Sequence, residues 1–201
     1  MAEILNANDA ALERCIEALS KGELIIYPTD TLYGIGADAT VQSAIDKVFV
    51  AKRRKPDNVV SVAVKSAAAA EDLAVFNPLA RKLAEAFLPG PLTMILKSKS
   101  NMKFLSKDGK IGIRVPENDF TLSLLKKYDR PIVATSANIS GGQDPKEISD
   151  IPNEIIECAS VVVDYGKTKY AAPSTVVDVS SGTINVLREG ALSVSSLRNY
   201  Q

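Results

Sequence analysis

The sequence predicts an α/β protein built on a mixed parallel and antiparallel sheet with flanking helices, one domain over residues 1–201. Three observations carry that expectation. Short apolar runs alternate with segments of helical period along the chain. The chain closes on two strand-like runs joined by Ser180-Ser181-Gly182, a hairpin signal that adds antiparallel pairing. The length of 201 residues, 46% hydrophobic and 24% charged, suits one ordinary globular core, and there is no internal repeat or low-complexity linker.

Taken in order, residues 8–21 read as a helix, with Ala11, Leu12, Cys15, Ile16 and Leu19 at helical spacing and Gly22 as its stop. Leu24 to Tyr27 reads as a buried strand, and Pro28 to Gly36 as a loop. Thr40 is positioned to cap a helix running to Ala51. Val59 to Val64 is a strand, and Ser66 opens an alanine-rich helix. Asn77-Pro78 pairs a cap with a proline at the first helical position, and Leu79, Leu83 and Phe87 supply the buried face. Leu88-Pro89-Gly90-Pro91 breaks that helix ahead of a strand from Leu92 to Leu96. Residues 98–110 are polar and read as a loop or short excursion. Ile111 to Val115 is a strand, Phe120 to Tyr128 a helix and Pro131 to Ala134 a strand. A Gly/Ser/Asn loop over 135–144 follows, and Val161 to Val163, Thr175 to Val179 and Thr183 to Leu187 close the sheet.

Composition removes whole mechanisms. There are 24 basic and 24 acidic side chains, two cysteines, and no histidine or tryptophan. A Ser-His-Asp triad, a Cys-His pair and an imidazole base all need the missing residue. An all-cysteine zinc site needs four thiolates. Cys15 and Cys158 both fall on helical apolar faces and read as buried structural thiols. No secretory signal and no run of about 18 apolar residues is visible, so the expectation is a cytoplasmic protein without a membrane span. A net charge of zero opposes nucleic-acid binding through bulk basicity.

Two phosphate-binding patterns fail. Gly166-Lys167-Thr168 lacks the leading glycine of a P-loop, because position 161 is Val161, and it leads toward a strand. Gly34-Ile35-Gly36 lies too far from the strand before it for a dinucleotide turn. Asn138-Ile139-Ser140 is a glycosylation sequon only in form.

Three polar clusters fall just after predicted strands or helices, where open α/β sheets bind ligands. Pro28-Thr29-Asp30-Thr31 offers hydroxyls to a small polar ligand, or is an ordinary turn. Thr135-Ser136-Ala137-Asn138 enters a Gly141-Gly142 loop whose amides suit phosphate or ribose, or is a plain loop. Lys52-Arg53-Arg54-Lys55 ends a helix, where cations are favoured by the dipole alone but also suit a polyphosphate. Arg114 and Arg188 sit among strand hydrophobes and call for anionic partners. Together these suggest a nucleotide and a second anionic small molecule in one concave site. Catalysis there would come from positioning and cationic stabilisation, with any metal being Mg²⁺ carried on the phosphates.

The motifs Tyr27-Pro28-Thr29-Asp30-Thr31-x-Tyr33-Gly34, Lys52-x-Arg54, Leu88-Pro89-Gly90-Pro91-Leu92-Thr93, Arg114-Val115-Pro116, Ser136-Ala137-Asn138-x-Ser140-Gly141, Pro173-Ser174-Thr175-Val176-Val177-Asp178 and Arg188-x-Gly190 appear in this order. With them the chain resembles the YrdC/TsaC-like threonylcarbamoyl-AMP synthases along nearly its whole length. The resemblance implies a twisted open sheet of the YrdC/RibB-like fold with a positively lined cavity. It implies synthesis of L-threonylcarbamoyladenylate and pyrophosphate from L-threonine, bicarbonate and ATP, with Mg²⁺, for threonylcarbamoyladenosine modification of tRNA together with partner proteins.

By the same resemblance, Thr31, Arg114 and Ser174 contact threonine, and Lys52, Arg54, Asn58, Ser136, Asn138 and Arg188 contact ATP. Lys52, Arg54, Ser136 and Asn138 form the family's catalytic tetrad. Three departures stand out: Lys55 intervenes before Pro56, Ala63 occupies the place of a family histidine, and Asp144 occupies that of a serine. On that resemblance the chain is expected to be of the single-domain type. An alternative is a double-stranded RNA or tRNA-binding module without catalysis. A third reading, the carbamoyl-transfer domain of a hydrogenase-maturation protein, is opposed by the start at Met1 and the lack of zinc-finger cysteines.

Overall fold

The computed structural model describes residues 2–54, 61–99, 105–106 and 108–200. Its strands are β1 (Glu3–Asn6), β2 (Ile25–Tyr27), β3 (Gly34–Gly36), β4 (Ser61–Ala63), β5 (Ala74–Val75), β6 (Leu92–Ser98), β7 (Lys110–Arg114), β8 (Ile132–Ser136), β9 (Val161–Asp164), β10 (Thr175–Asp178) and β11 (Asn185–Arg188). Its helices are α1 (Asp9–Ser20), α2 (Gln42–Ala51), α3 (Ala67–Glu71), α4 (Pro78–Phe87), α5 (Asp119–Tyr128) and α6 (Asn153–Glu157).

The strands order as β1-β9-β2-β3-β8-β4-β7-β6-β10-β11, with β5 beside β6. The pairs β1/β9, β2/β9, β4/β7 and β6/β10 are parallel, whereas β2/β3, β3/β8, β4/β8, β6/β7 and β10/β11 are antiparallel. The expected mixed sheet with flanking helices is therefore present, including its closing hairpin.

Alternation along the strands divides the apolar side chains between two faces. Ile26, Ile35, Val62, Val133 and Val162 pack with α2, α3 and α4. Ile25, Tyr27, Ala63, Ile132, Val161 and Val163 pack with α1 and α5. Burial on both faces explains why the strands read as unbroken apolar runs. Side-chain oxygens cap α1 at Asn8, α3 at Ser66, α4 at Asn77 and α5 at Asn118, each accepting from a backbone N–H three residues on.

Several expectations need correction. Thr40 does not cap α2; its N–H and hydroxyl both donate to Asp38 Oδ1, and Val41 holds the cap position. The segment read as a loop over 28–36 contains β3, because Gly36 fits against Tyr27: a Cβ there would lie 2.8 Å from its ring. Cys15 is buried, but Cys158 ends α6 exposed to solvent. The strands β1 and β5 and a 3-10 segment over Val194–Tyr200 were not expected. The excursion over 98–110 links the antiparallel pair β6/β7, with residues 100–104 and 107 outside the described residues.

Candidate functional site

Helices α1 and α5 cover part of one sheet face. Elsewhere on it, across β3, β8, β4, β7, β6 and β10, which are neighbours in that order, lies a cavity of about 310 Å³. Thr31, Arg54, Arg114, Ser136, Ser174 and Arg188 all line it. Residues from six separate stretches of sequence thus meet in one place, as strand ends do in open sheets.

The turn after β2 is organised by the Thr29 hydroxyl, which donates to the Leu32 carbonyl at 2.6 Å and accepts from the Thr31 N–H at 3.1 Å. Thr31 Oγ1 lies 3.0 Å from it, and Thr168 Oγ1 donates to the Thr31 carbonyl at 2.8 Å. This is a threonine turn, so the cavity-facing hydroxyl is held by local bonds.

The end of α2 separates three consecutive cations. Arg53 has φ 49°, the left-handed conformation. The Arg53 N–H reaches the Val50 carbonyl at 3.0 Å, and the Arg54 N–H reaches the Phe49 carbonyl at 2.9 Å. That is a Schellman motif, with arginine where glycine is usual, at a cost on the order of 1 kcal/mol. The turn sends Lys52 inward, Arg53 outward to pair with Glu154, and Arg54 into the cavity wall.

Lys52 is 3% exposed and does not line the cavity. Its ammonium donates to the Ser136 carbonyl, to the Asn138 carbonyl at 2.7 Å and to Asn138 Oδ1 at 3.0 Å. An ammonium has three protons, and all three are used. Asn138 is buried too; its Oδ1 accepts from Ser136 Oγ at 2.7 Å, and its Nδ2 donates to the Gly142 and Gln143 carbonyls, each at 3.0 Å. The expected tetrad therefore divides: Arg54 and Ser136 face the cavity, while Lys52 and Asn138 brace the loop behind it. Burial, with repulsion from Arg54, pushes the Lys52 ammonium down to about 8.

On the opposite wall, Arg188 donates from Nε and Nη2 to the Ser174 carbonyl at 3.1 and 2.9 Å, and from Nη2 to Ser174 Oγ at 3.2 Å. Ser174 Oγ also lies 2.8 Å from Thr93 Oγ1. Gly190 permits this arrangement, since a Cβ there would lie 2.2 Å from the Pro173 carbonyl oxygen. Burial pushes the Arg188 guanidinium down, Asp144 pulls it back up, and Arg114 adds like-charge repulsion. Asp144 and Ala63 both line the cavity, so two of the three departures from the expected pattern fall within the site, while Lys55 lies outside the described residues.

Arg114 ends β7 and pairs with Asp30 through Nη2 and Oδ1. Burial pushes the Asp30 carboxyl above the usual carboxylate range, and the Arg114 guanidinium opposes that push. Asp30 and Thr93 are polar partners the sequence reading did not single out, although both lie inside quoted motifs. Asn58 lies outside the described residues.

A family profile, Sua5_yciO_yrdC, described as telomere recombination, matches residues 17–190. A Methanocaldococcus jannaschii protein, named provisionally as a threonylcarbamoyl-AMP synthase, is 36% identical over 201 residues, covering 97% of this chain and 95% of that protein. The threonylcarbamoyl-AMP synthase of Pyrococcus abyssi is 32% identical over 182 residues, covering 89% of this chain and 54% of that protein. The crystal structure of P. abyssi Sua5 complexed with L-threonine superposes with a TM-score of 0.91 at 29% identity, covering 98% of this chain and 60% of that one. The chain thus spans little more than half the length of the Pyrococcus protein.

Proposed function

This chain belongs to the Sua5/YciO/YrdC family, and on that footing we propose that it is an L-threonylcarbamoyladenylate synthase. The observation that carries the proposal is one cavity holding Arg54, Arg114 and Arg188 together with the hydroxyls of Thr31, Ser136 and Ser174. Two anionic substrates need such a lining, and the described lining residues include no histidine or lysine base to activate the cavity's serine, threonine or tyrosine hydroxyls.

The substrates supply the nucleophile instead. The threonine amine and bicarbonate condense to a carbamate with loss of water. A carbamate oxygen then attacks the α-phosphorus of ATP, the bond to the bridging oxygen breaks, and pyrophosphate leaves. Arg114, Thr31 and Ser174 hold threonine, Arg114 by its carboxylate. Arg54, Ser136 and Arg188 hold ATP and balance the charge that develops on phosphorus and the leaving group. Lys52 and Asn138 act on ATP through Ser136, whose hydroxyl Asn138 orients.

Among the described residues no group of three or more carboxylates or thiols converges on a metal position, and Asp144 is the carboxylate in the cavity lining. That donor set does not form a protein cage for Mg²⁺. We place the ion with ATP, as part of the substrate, and assign it no protein-held step. The product is a labile mixed anhydride that suits direct transfer of the threonylcarbamoyl group to tRNA through partner proteins. Among the described residues no helix is long and apolar enough to cross a membrane.

The test is pyrophosphate release by the purified protein in ATP, Mg²⁺ and fresh bicarbonate. Release that depends on L-threonine supports the proposal. No release, or release unaffected by threonine, refutes it.

A further inference from the structure

The Arg114–Asp30 pair is half of a fork. The Nε and Nη2 groups form one edge of a guanidinium, and a carboxylate can engage both together. Here Nη2 meets Oδ1, while Arg114 Nε and Asp30 Oδ2 are buried without a hydrogen-bond partner. The pair also stands between two cavities. Arg114 lines the one already described, and Asp30 lines a second, beside Asn118 at the start of α5 and Thr168.

The two partners differ in freedom. Asp30 has a short side chain on an anchored turn: its carbonyl accepts from the Tyr170 N–H at 2.8 Å, and Thr168 holds the next residue. Arg114 has a long side chain, and both it and Arg188 line the cavity proposed to receive a polyphosphate. A guanidinium left untethered there would be drawn to the more highly charged anion.

We infer that Asp30 is a positioning residue that pins one edge of Arg114, so that its other donors meet the α-carboxylate of the amino-acid substrate and not the phosphates of ATP. The inference rests on the synthase reading. Its consequence is discrimination: preference for a free carboxylate depends on a residue that touches no substrate.

Calorimetric titration of the full chain with L-threonine, L-threoninamide and MgATP tests it. The unaltered protein should prefer threonine to threoninamide by about tenfold or more. In Asp30→Asn that ratio should fall to within about threefold, while MgATP affinity stays constant or rises. A general packing defect would weaken both amino-acid ligands and leave the ratio intact, and an intact ratio overturns the inference. If Asp30→Asn fails to fold by circular dichroism, Asp30→Glu keeps the charge and displaces it by one methylene. The ratio must then fall by at least about threefold, and an unchanged ratio overturns the inference there too. Failure of the unaltered protein to bind threonine would instead refute the synthase reading, so the two failures are distinct.

Discussion

Replacing Asn138 with leucine keeps the side chain's size and removes its four hydrogen bonds, to Lys52, Ser136, Gly142 and Gln143. The Lys52 ammonium then loses one of three acceptors inside a buried site, about 1.5–3 kcal/mol for a charge-assisted bond. The Gly142 and Gln143 carbonyls belong to exposed residues that water can reach, so each adds only about 0.5 kcal/mol. A loss of about 2.5–4 kcal/mol follows, which for a chain of this size lowers Tm by roughly 5–16 °C. The Ser136 hydroxyl, freed from Asn138, should raise KM for ATP about tenfold. Scanning calorimetry reads the first effect, and pyrophosphate release at varied ATP and varied threonine reads the second. Threonine KM should stay within about twofold, since Arg114, Thr31 and Ser174 make none of these bonds. An unchanged Tm with lost ATP binding would show that Asn138 acts by touching ATP and not by bracing the loop.

Further outcomes follow from the same geometry. Lys52 has a folded-state value of about 8 against 10.5 for free lysine, so the folded protein releases this proton before the unfolded chain does. The cost of burying the charge is fully present below pH 8. It is relieved as pH rises from about 8 toward 10.5, so this group's contribution to stability increases over that window. The loop brace loses a donor over the same window, and kcat/KM for ATP should fall with a midpoint near pH 8; Lys52→Arg, which keeps its charge, should lack that limb. Asp144→Ser removes a negative charge from the cavity and should tighten ATP binding about two- to tenfold at low salt, with less gain at high salt. Gly190→Ala places a Cβ against the Pro173 carbonyl and should cost about 2 kcal/mol in thermal unfolding, lowering kcat/KM for ATP as Arg188 shifts off Ser174.

The sheet was legible where strands are buried on both faces. Ile25-Ile26-Tyr27 and Val161-Val162-Val163 read as apolar runs because each alternation meets a helix-covered face. By contrast, β1 is an edge strand of mostly exposed residues, Glu3 to Asn6, and its partner β9 lies far along the chain, so no local pattern announces it. The site residues were legible as motifs, but their division between cavity wall and support was not. That division turns on Arg53, whose left-handed backbone sends Lys52 and Arg54 to different places at a position where glycine would have been the usual signal. Arg114 was expected to need an anion, and the structure supplies one in Asp30, 84 positions away in sequence. Proximity across a sheet is set by topology and leaves no trace in local spacing. Ala63, where the resemblance leads one to expect a histidine, pairs with Arg114 in the parallel β4/β7 register and lines the cavity beside it.

The most direct measurement supplies ¹³C-bicarbonate with L-threonine and MgATP and weighs the nucleotide products by mass spectrometry. Synthesis of the threonylcarbamoyl adenylate predicts an AMP conjugate that carries the threonine mass and a single labelled carbon, formed in step with pyrophosphate. An adenylate without the labelled carbon, or ADP and phosphate in its place, would contradict the proposed attack of a substrate-derived carbamate on ATP.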